Sequence, residues 1–405
     1  MTTTDQAAKP ATAAWIDDEP PAEDPVELAA AYRRGDFLLA SPERTILAQG
    51  VRATISNDPA GLSGVDLADA VQKRLRELDA PLAAGALPFD RTADAHLVVP
   101  ERVRIAGPLS APAEDLDRKL ALSGFDVKPV PEQGGYRDTV ATAVRELTGG
   151  KLRKVVLARA LELAFHEEID DRELGQLLLN LAGPSPRGYT FATPLPCGRA
   201  LIGASPELLL SRTGRTMTTF PLAGSMPRMA DPAADQESAA RLAASAKDQG
   251  EHRVVIEDVV ETLRPFVRKL SVPDEPSIIP TPSVWHLGTR ISAELVDPDV
   301  TALHLATALY PTPALCGAPR QAAYETITEL EPFNRGFYGG AVGWCDVNGD
   351  GQFAVAIRCA ELAGRWLQLY AGCGIMPDSD PEMELDESTA KFRTLLGAMG
   401  LVLES

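Results

Sequence analysis

The sequence is short of aromatic residues and of positive charge, and it contains no long apolar run. Aromatic residues make up 5% of its 405 positions, and 57 Asp and Glu against 39 Lys and Arg leave a net charge of −18 at pH 7. A surface of this charge repels phosphate backbones and anionic headgroups. No stretch reaches the roughly 18 apolar residues of a membrane span, and the N-terminus lacks a basic segment followed by an apolar one. We therefore expect a cytoplasmic protein that binds neither nucleic acid nor a membrane.

Cysteine is also scarce, and no two cysteines form a CxxC pair. The five are Cys197, Cys316, Cys345, Cys359 and Cys373. Their number and spacing argue against a disulfide framework or a zinc site. We interpret them as small buried hydrophobic side chains.

No Pro/Ser linker and no internal repeat divides the chain, although its length would allow two or three ordinary domains. Residues 1–25 are rich in Ala, Thr, Pro and acidic residues. This composition cannot bury enough apolar area to fold, so we expect a disordered acidic tail. Residues 26–405 are expected to form one large domain.

Hydrophobic periodicity predicts both helices and strands in this domain. Helices are expected at residues 25–34, 66–78, 137–147, 235–263 with a break near Gly250, 301–309 and 384–399. Strands are expected at residues 96–100, 102–105, 154–163, 188–193, 200–204, 207–212, 216–222, 336–346, 352–362 and 366–373, with a tight turn at 212–215. Strands without regular βαβ alternation predict an α+β protein with antiparallel sheets.

Two glycine-containing segments resemble ligand loops only superficially. Residues 346–353, DVNGDGQF, have the first ligands of a calcium loop, but Ile357 stands where the bidentate Glu is required. We interpret this segment as a turn between strands. Residues 337–344, FYGGAVGW, open no helix, so we interpret them as a strand whose glycines allow close approach.

A cluster of acidic residues near the C-terminus is a stronger candidate. Glu384, Glu387 and Lys391 follow one another at i, i+3 and i+7, so they share one helical face. Such a face is either solvated or able to hold a hard divalent cation next to a carboxylate of an anionic substrate. Glu251, which precedes an apolar helical stripe, is either a surface residue or a second ligand.

Two further residues are candidates for proton transfer. Glu207 lies between two apolar runs in GASPELLL, where burial would raise its pKa and suit it to donate a proton. Lys154 begins the apolar run KVVLAR, where burial would lower its pKa and suit it to act as a base. A water-facing position at a strand edge is the open alternative for each.

Taken together, the motifs resemble those of the chorismate-utilising enzymes, and most closely the isochorismate synthases of siderophore or menaquinone biosynthesis. The motifs occur in the family's order over residues 135–400: KVVLAR, GASPELLL, FPLAGSMPR, KDQGEH, WHLGT, YPTPALCGAP, GFYGGAVGWCD, AIRCAEL, YAGCGI and ESTAKF. The resemblance implies two antiparallel sheets packed face to face and flanked by helices.

The resemblance also implies a role for each candidate residue. Lys154 would be the base that activates water at ring carbon 2, and Glu207 the acid that protonates the departing 4-hydroxyl. Mg²⁺ would be held by Glu251, Glu387 and Glu384. The substrate would be bound by Arg358, Lys391, Tyr338, Gly372, Gly374, Gly224, Ser225 and Leu315.

Within this family the nucleophile separates the members. Members that use a lysine nucleophile carry that lysine at the position of Ala223. Members that use ammonia generally lack the water-activating lysine that this chain has at position 154. Water is therefore the expected nucleophile. We also expect a monomer without a glutamine amidotransferase subunit. Tyr338, which resembles the residue of salicylate synthases, leaves open a rival that also eliminates pyruvate. An inactive anion-binding regulatory subunit is the rival from another class.

Overall fold

The structure is a computed structural model that describes residues 23–56, 64–109, 120, 122 and 124–402. Most of the expected N-terminal tail, residues 1–22, lies outside the described residues. Its last residues are placed: Glu23 forms an ion pair with Arg104, and the Asp24 carboxylate accepts the Val26 N–H at the start of the first helix. No helix in these ranges is long and apolar enough to cross a bilayer.

Helices and strands alternate irregularly along the described chain. The helices are α1 (Pro25–Ala30), α2 (Gly64–Glu77), α3 (Gln133–Thr148), α4 (Asp171–Ala182), α5 (Pro232–Ala244), α6 (Ala246–Leu263), α7 (Ala302–Leu309), α8 (Arg320–Leu330) and α9 (Pro381–Ala398). The strands of the first half are β1 (Phe37–Ala40), β2 (Thr45–Gln49), β3 (Ala53–Ile55), β4 (Leu82–Leu87), β5 (His96–Val99), β6 (Arg102–Ala106), β7 (Phe125–Val130), β8 (Lys154–Phe165), β9 (Tyr189–Leu195), β10 (Arg199–Ser205) and β11 (Leu208–Thr213). Those of the second half are β12 (Thr216–Phe220), β13 (Leu222–Pro227), β14 (Val267–Ser271), β15 (Ser277–Pro280), β16 (Val284–Gly288), β17 (Ile291–Leu295), β18 (Gly317–Ala318), β19 (Ala341–Asp346), β20 (Gly351–Val355), β21 (Cys359–Ala363) and β22 (Trp366–Ile375).

Three antiparallel sheets organise these strands. The first has the order β18-β8-β22-β21-β10-β9-β1-β2-β6, with β7 also paired to β8. The second has the order β14-β17-β12-β11-β20-β19-β4-β5-β3, and a small third sheet has the order β13-β16-β15. The predicted α+β class with two large antiparallel sheets is confirmed.

Apolar side chains from both large sheets meet in one core. Phe191 and Leu201 of the first sheet belong to the same buried cluster as Leu210, Val342 and Phe353 of the second. On the opposite side of the first sheet, a second cluster joins strand residues to α1, α4 and α9. Helices α2, α6 and α7 contribute Leu, Val and Ala side chains to the first cluster, and this burial is the main stabilising contribution.

Four expected elements differ from those observed. The strand expected over 336–346 begins only at Ala341, because residues 336–340 form a turn. The long helix over residues 235–263 breaks at Ser245 rather than near Gly250, because the Ser245 side chain accepts the Asp248 N–H and caps α6. The strand expected over 216–222 ends at Phe220, because Pro221 separates β12 from β13, and β13 belongs to the third sheet. The strand expected over 352–362 is interrupted at Arg358, whose φ of 48° no strand accommodates.

The interpretation of all five cysteines as buried is wrong for one of them. Cys197 is exposed, whereas the other four are buried. It lies in the short turn between β9 and β10 with a φ of 62°. A turn at the end of a hairpin projects its side chains away from the core, which explains the exposure.

Glycine at position 343 permits the close contact of β19 with β20. A Cβ atom there would lie 2.1 Å from the Gln352 carbonyl oxygen and 2.6 Å from the Phe353 ring. The interpretation of the FYGGAVGW glycines as sites of close approach is therefore confirmed at this residue.

We expect Gly343→Ala to lower the free energy of unfolding by about 1–3 kcal/mol, because both neighbours are fixed parts of a strand. Gly397→Ala is the matched control, since a Cβ atom on this exposed residue of α9 would meet nothing within 4 Å. The control is expected to raise stability by up to about 1 kcal/mol. Urea denaturation of both variants measures the difference, and equal midpoints would contradict the packing argument.

Candidate active site

A cleft of about 510 Å³, partly open to solvent, collects most of the candidate residues. It lies where β8, β13 and β22 approach α6 and α9. Its lining includes Glu207, Gly224, Ser225, Glu251, Leu315, Tyr338, Arg358, Gly372, Gly374, Glu387 and Lys391. The tertiary structure therefore brings together residues that lie up to 184 positions apart, as Glu207 and Lys391 do.

Glu207 lies in the short connection between β10 and β11 and is 2% exposed. Its Oε1 accepts the Leu222 N–H at 3.3 Å. Burial raises the pKa of Glu207 to about 7, although this hydrogen bond and the charges of Lys154 and Arg358 oppose the shift. The water-facing alternative is thus wrong, and the carboxyl group can hold a proton near neutral pH.

Lys154 is fully buried at the start of β8. Its Nζ lies 2.9 Å from Glu251 Oε1. The two atoms form an ion pair, but their alignment is outside hydrogen-bond geometry, and Nζ has no hydrogen-bond acceptor among the described residues. The water-facing alternative is therefore wrong for Lys154 too, and the residue lies beside a carboxylate.

The face shared by Glu384, Glu387 and Lys391 on α9 turns inward rather than to solvent. The Lys391 ammonium lies 2.5 Å from Glu387 Oε1 and donates to the Gly372 carbonyl at 2.9 Å. Ser225 donates its hydroxyl proton to the same Glu387 oxygen at 2.6 Å. Burial opposes the ionisation of Glu387, but Lys391 and Ser225 outweigh it and lower its pKa to about 2.

Glu384 is the most buried of these carboxylates, at 1% exposure. Its Oε1 accepts from Ser379 and contacts Lys247 Nζ at 2.5 Å, whereas its Oε2 has no partner among the described residues. Burial and the neighbouring Glu387 raise the pKa of Glu384 to about 7. A buried carboxylate oxygen without a hydrogen-bond partner costs free energy, because it has lost its contact with water and gained no other donor.

These residues suit a hard divalent cation. One oxygen each of Glu384 and Glu387 and the Cys373 sulfur lie within 4.8 Å of one another, and carboxylate oxygens are the ligands that Mg²⁺ prefers. Glu251 is not part of this group and faces Lys154. Lys247 lies near all three carboxylates, whose charges raise its pKa although burial opposes them.

Arg358 enters the cleft from a strained backbone position. Its φ of 48° lies in the left-handed region, which is unusual for a residue other than glycine and is concentrated at functional sites. Its guanidinium nitrogen Nη2 lies 3.1 Å from His286 Nε2. His286 Nδ1 lies 3.3 Å from the Gly224 carbonyl, which can only accept, so Nδ1 donates and Nε2 accepts from Arg358.

A second histidine holds the same loop. His252 Nδ1 donates to the Ala223 carbonyl at 3.2 Å, and its Nε2 accepts from the Thr289 hydroxyl at 2.8 Å. Burial lowers the pKa of His252 to about 4, so the ring is neutral. Two neutral imidazoles therefore hold the bulge at Gly224, whose φ is 77°.

The cleft leaves no room for a side chain at two positions of β22, residues 372 and 374. A Cβ atom on Gly374 would lie 2.0 Å from Glu251 Oε1, and one on Gly372 would lie 2.9 Å from the Tyr338 hydroxyl. The Tyr338 ring stacks on Tyr370 with centroids 4.9 Å apart. These glycines allow the carboxylate and the phenol to reach the cleft.

Arg159 joins the strand of Lys154 to the helix of the carboxylates. Its Nε donates to the Ser388 hydroxyl at 2.9 Å, and its guanidinium also donates to Thr389. The guanidinium carbon of Arg159 lies 5.3 Å from the centre of the Phe392 ring. The motifs KVVLAR and ESTAKF thus meet through a buried arginine, which fixes α9 against β8.

The sequence reasoning assigned no role to His286, His252 or Lys247. His286 lies in the WHLGT motif, and His252 and Lys247 lie in KDQGEH. The motifs therefore marked these segments, but they did not show which residues the side chains contact. The Arg358 contact of His286 depends on a neighbour 72 positions away, which no local pattern reveals.

The comparisons with known proteins agree with this site. Residues 110–400 match the family described as chorismate binding enzyme. The chain is 47% identical to the isochorismate synthase DhbC of Bacillus subtilis over 91% of its length and 95% of the relative's. It is 37% identical to the isochorismate synthase EntC of Escherichia coli, over 94% and 98% of the two chains.

A solved structure shows the same fold. DhbC from Bacillus anthracis superposes with a TM-score of 0.87 at 42% identity, covering 93% of this chain and all of the other. The fold and the cleft define an α+β enzyme with two large antiparallel sheets, a small third one, and a cleft between strands and helices. The chain belongs to the chorismate-binding enzyme family.

We expect Glu207 to carry a proton below about pH 7 and to lose it above, because burial raises its pKa to about 7. The infrared difference between the wild type and Glu207→Gln should show a protonated carboxyl stretch at pH 5 that fades as the pH rises through neutrality. A difference spectrum without that band at acidic pH would contradict the assignment.

Proposed function

We propose that this protein converts chorismate to isochorismate, adding water at ring carbon 2 with loss of the 4-hydroxyl group. The observation that carries the proposal is a buried Glu207 in the cleft, whose pKa burial raises to about 7, together with a buried Lys154 next to the cleft residues Glu251 and Gly374. The names of the relatives DhbC and EntC support the same reaction.

Cationic side chains would bind the dianionic substrate in an otherwise acidic protein. Arg358 presents a planar fork that can hold a carboxylate through two hydrogen bonds. Lys391, Tyr338, Leu315, Ser225 and the backbone at Gly224, Gly372 and Gly374 would surround the rest. The Gly224 carbonyl fixes the tautomer of His286, whose Nε2 accepts from Arg358 and orients its guanidinium, so less ordering is needed on binding.

The acid and the base would act on different ring positions. Hydroxide is a poor leaving group, so Glu207 would donate its proton to the departing 4-hydroxyl. Lys154 would accept a proton from the water that attacks carbon 2. A carboxyl with a pKa near 7 is protonated enough to donate and acidic enough to release its proton.

Glu384, Glu387 and Glu251 would hold Mg²⁺ next to the substrate. The ion would neutralise charge on a substrate carboxylate. The unpartnered Glu384 Oε2 supports this role, because it is a buried oxygen free to coordinate. Since Glu251 also pairs with Lys154, this residue would link the metal site to the base.

We further propose that the enzyme acts in the cytoplasm as a monomer without an amidotransferase subunit. The proposed acid, base and metal ligands are all carried by this chain, which supports a site completed without a second subunit. The rivals are a salicylate synthase, which would also eliminate pyruvate, and an inactive anion-binding subunit.

The test is incubation of the purified protein with chorismate and Mg²⁺ and separation of the products by chromatography. We expect isochorismate, and we expect Glu207→Gln and Lys154→Ala each to lower kcat at least ~10²-fold while chorismate still binds. In the wild type, kcat/KM should fall above about pH 7 because ionisation removes the Glu207 proton.

The products and variants separate the rivals. Salicylate and pyruvate as main products would favour the lyase, and chorismate binding without turnover would favour the inactive subunit. Wild-type turnover in Glu207→Gln would refute the proposed acid.

Metal dependence is tested with Glu387→Gln. Removing one charge from the carboxylate group should raise the Mg²⁺ concentration for half-maximal activity about tenfold or more. Excess chelator should abolish wild-type turnover. Glu382→Gln is the matched control, because Glu382 is an exposed residue of the same helix, paired with Arg137. Full wild-type activity in excess chelator would refute the proposed dependence on Mg²⁺.

A further inference from the structure

A buried ion pair between Glu331 and Arg335 lies behind the cleft wall, and the mechanism above does not use it. Both side chains are 2% exposed, and Arg335 Nε donates to Glu331 Oε2 at 2.8 Å. The Arg335 guanidinium also stacks on Phe89, 4.4 Å from the ring centre. A buried pair of this kind is weak evidence for a gain in stability, so a further reason for its presence is sought in its contacts.

The pair fills a gap beside β8. One edge of this strand is paired to β22 over nearly its whole length. The other edge pairs with β18 at Lys154 and Val155 and with β7 from Ala160 onward. The backbone between these two short partners needs other hydrogen-bond partners, because a buried polar group left unpaired is costly.

Glu331 and Arg335 supply two of those partners, and the Cys316 carbonyl accepts the Val156 N–H at 2.8 Å. Glu331 Oε1 accepts the Ala158 N–H at 2.7 Å, and Arg335 donates to the Val156 carbonyl at 2.7 Å. A second Arg335 nitrogen donates to the Leu315 carbonyl, also at 2.7 Å. The Arg335 carbonyl in turn accepts the Tyr338 N–H at 2.9 Å.

We propose that Glu331 and Arg335 are positioning residues that replace a missing length of strand and fix three parts of the cleft in register. The three parts are the β8 segment that begins with Lys154, the wall at Leu315 and the wall at Tyr338. An arginine suits this place because its planar fork bonds two carbonyls and a carboxylate at once. The inference rests on the proposed function only for its kinetic readout.

The test is Arg335→Lys. Lysine keeps the charge pair with Glu331, but its single nitrogen cannot occupy the separate positions from which the Arg335 nitrogens bond Glu331, Leu315 and Val156. Because small misplacements of catalytic groups are costly, we expect kcat with chorismate and Mg²⁺ to fall about 10- to 100-fold per folded molecule. Hydrogen exchange should become faster in residues 154–158 and 312–316.

Arg212→Lys is the matched control. Arg212 of β11 is also buried, pairs with Asp350 at 2.7 Å and donates to the Asn348 and Pro298 carbonyls. Its contacts with Asn348 and Asp350 are in the β19–β20 turn, and Arg212 is not among the residues that line the cleft. Both variants should lower the unfolding midpoint, whereas only Arg335→Lys should lower kcat. If Arg335→Lys does not fold, Glu331→Gln, which keeps an acceptor for Ala158, is measured in the same way.

The outcomes are separable from those of the proposed function. Wild-type kcat in a folded Arg335→Lys or Glu331→Gln variant, or an equal loss of kcat in Arg212→Lys, would overturn the positioning role. Unchanged exchange at residues 154–158 would overturn it as well. If the wild type forms no isochorismate, the proposed function fails, and the exchange measurement still decides the positioning role.

Discussion

The cleft depends on the pairing of buried charges. Each of its three candidate metal-binding carboxylates contacts the nitrogen of a different lysine: Glu251 contacts Lys154, Glu384 contacts Lys247 and Glu387 contacts Lys391. An unpaired charge at such depth would cost several kcal/mol, and removal of one partner would leave the other uncompensated. The pairing keeps ionised groups inside a protein whose interior would otherwise exclude them.

Glu207 differs from the three because no ammonium contacts it directly. Its nearest polar contact is a backbone N–H, and burial therefore controls its pKa. Carboxyl groups in one cleft thus have widely separated pKa values: Glu387 is ionised at neutral pH, whereas Glu207 keeps its proton up to about pH 7. Separation of pKa values by local environment allows one site to combine an acid with an anionic ligand set.

Positioning of these groups comes from the strands and helices behind them. Arg159 fixes α9 against β8, two neutral histidines hold the bulge at Gly224, and Arg335 bonds the free edge of β8 to the wall at Leu315. In each case a side chain bonds backbone or hydroxyl groups of another element. The cleft is therefore held by hydrogen bonds between elements that are distant in sequence.

The sequence by itself determined the fold class, most strands after residue 150, the shared face of Glu384, Glu387 and Lys391, and the family. These depend on local periodicity and on ordered motifs, which the chain carries without its tertiary structure. The break of the long helix was misplaced because a serine cap competes with a glycine, and the sequence does not show which one the chain uses. Only the tertiary structure decided which groups are buried and which are paired. The contact of Lys154 with Glu251 and that of Arg335 with Val156 join residues 97 and 179 positions apart, and burial and electrostatic contacts arise only when such segments pack together.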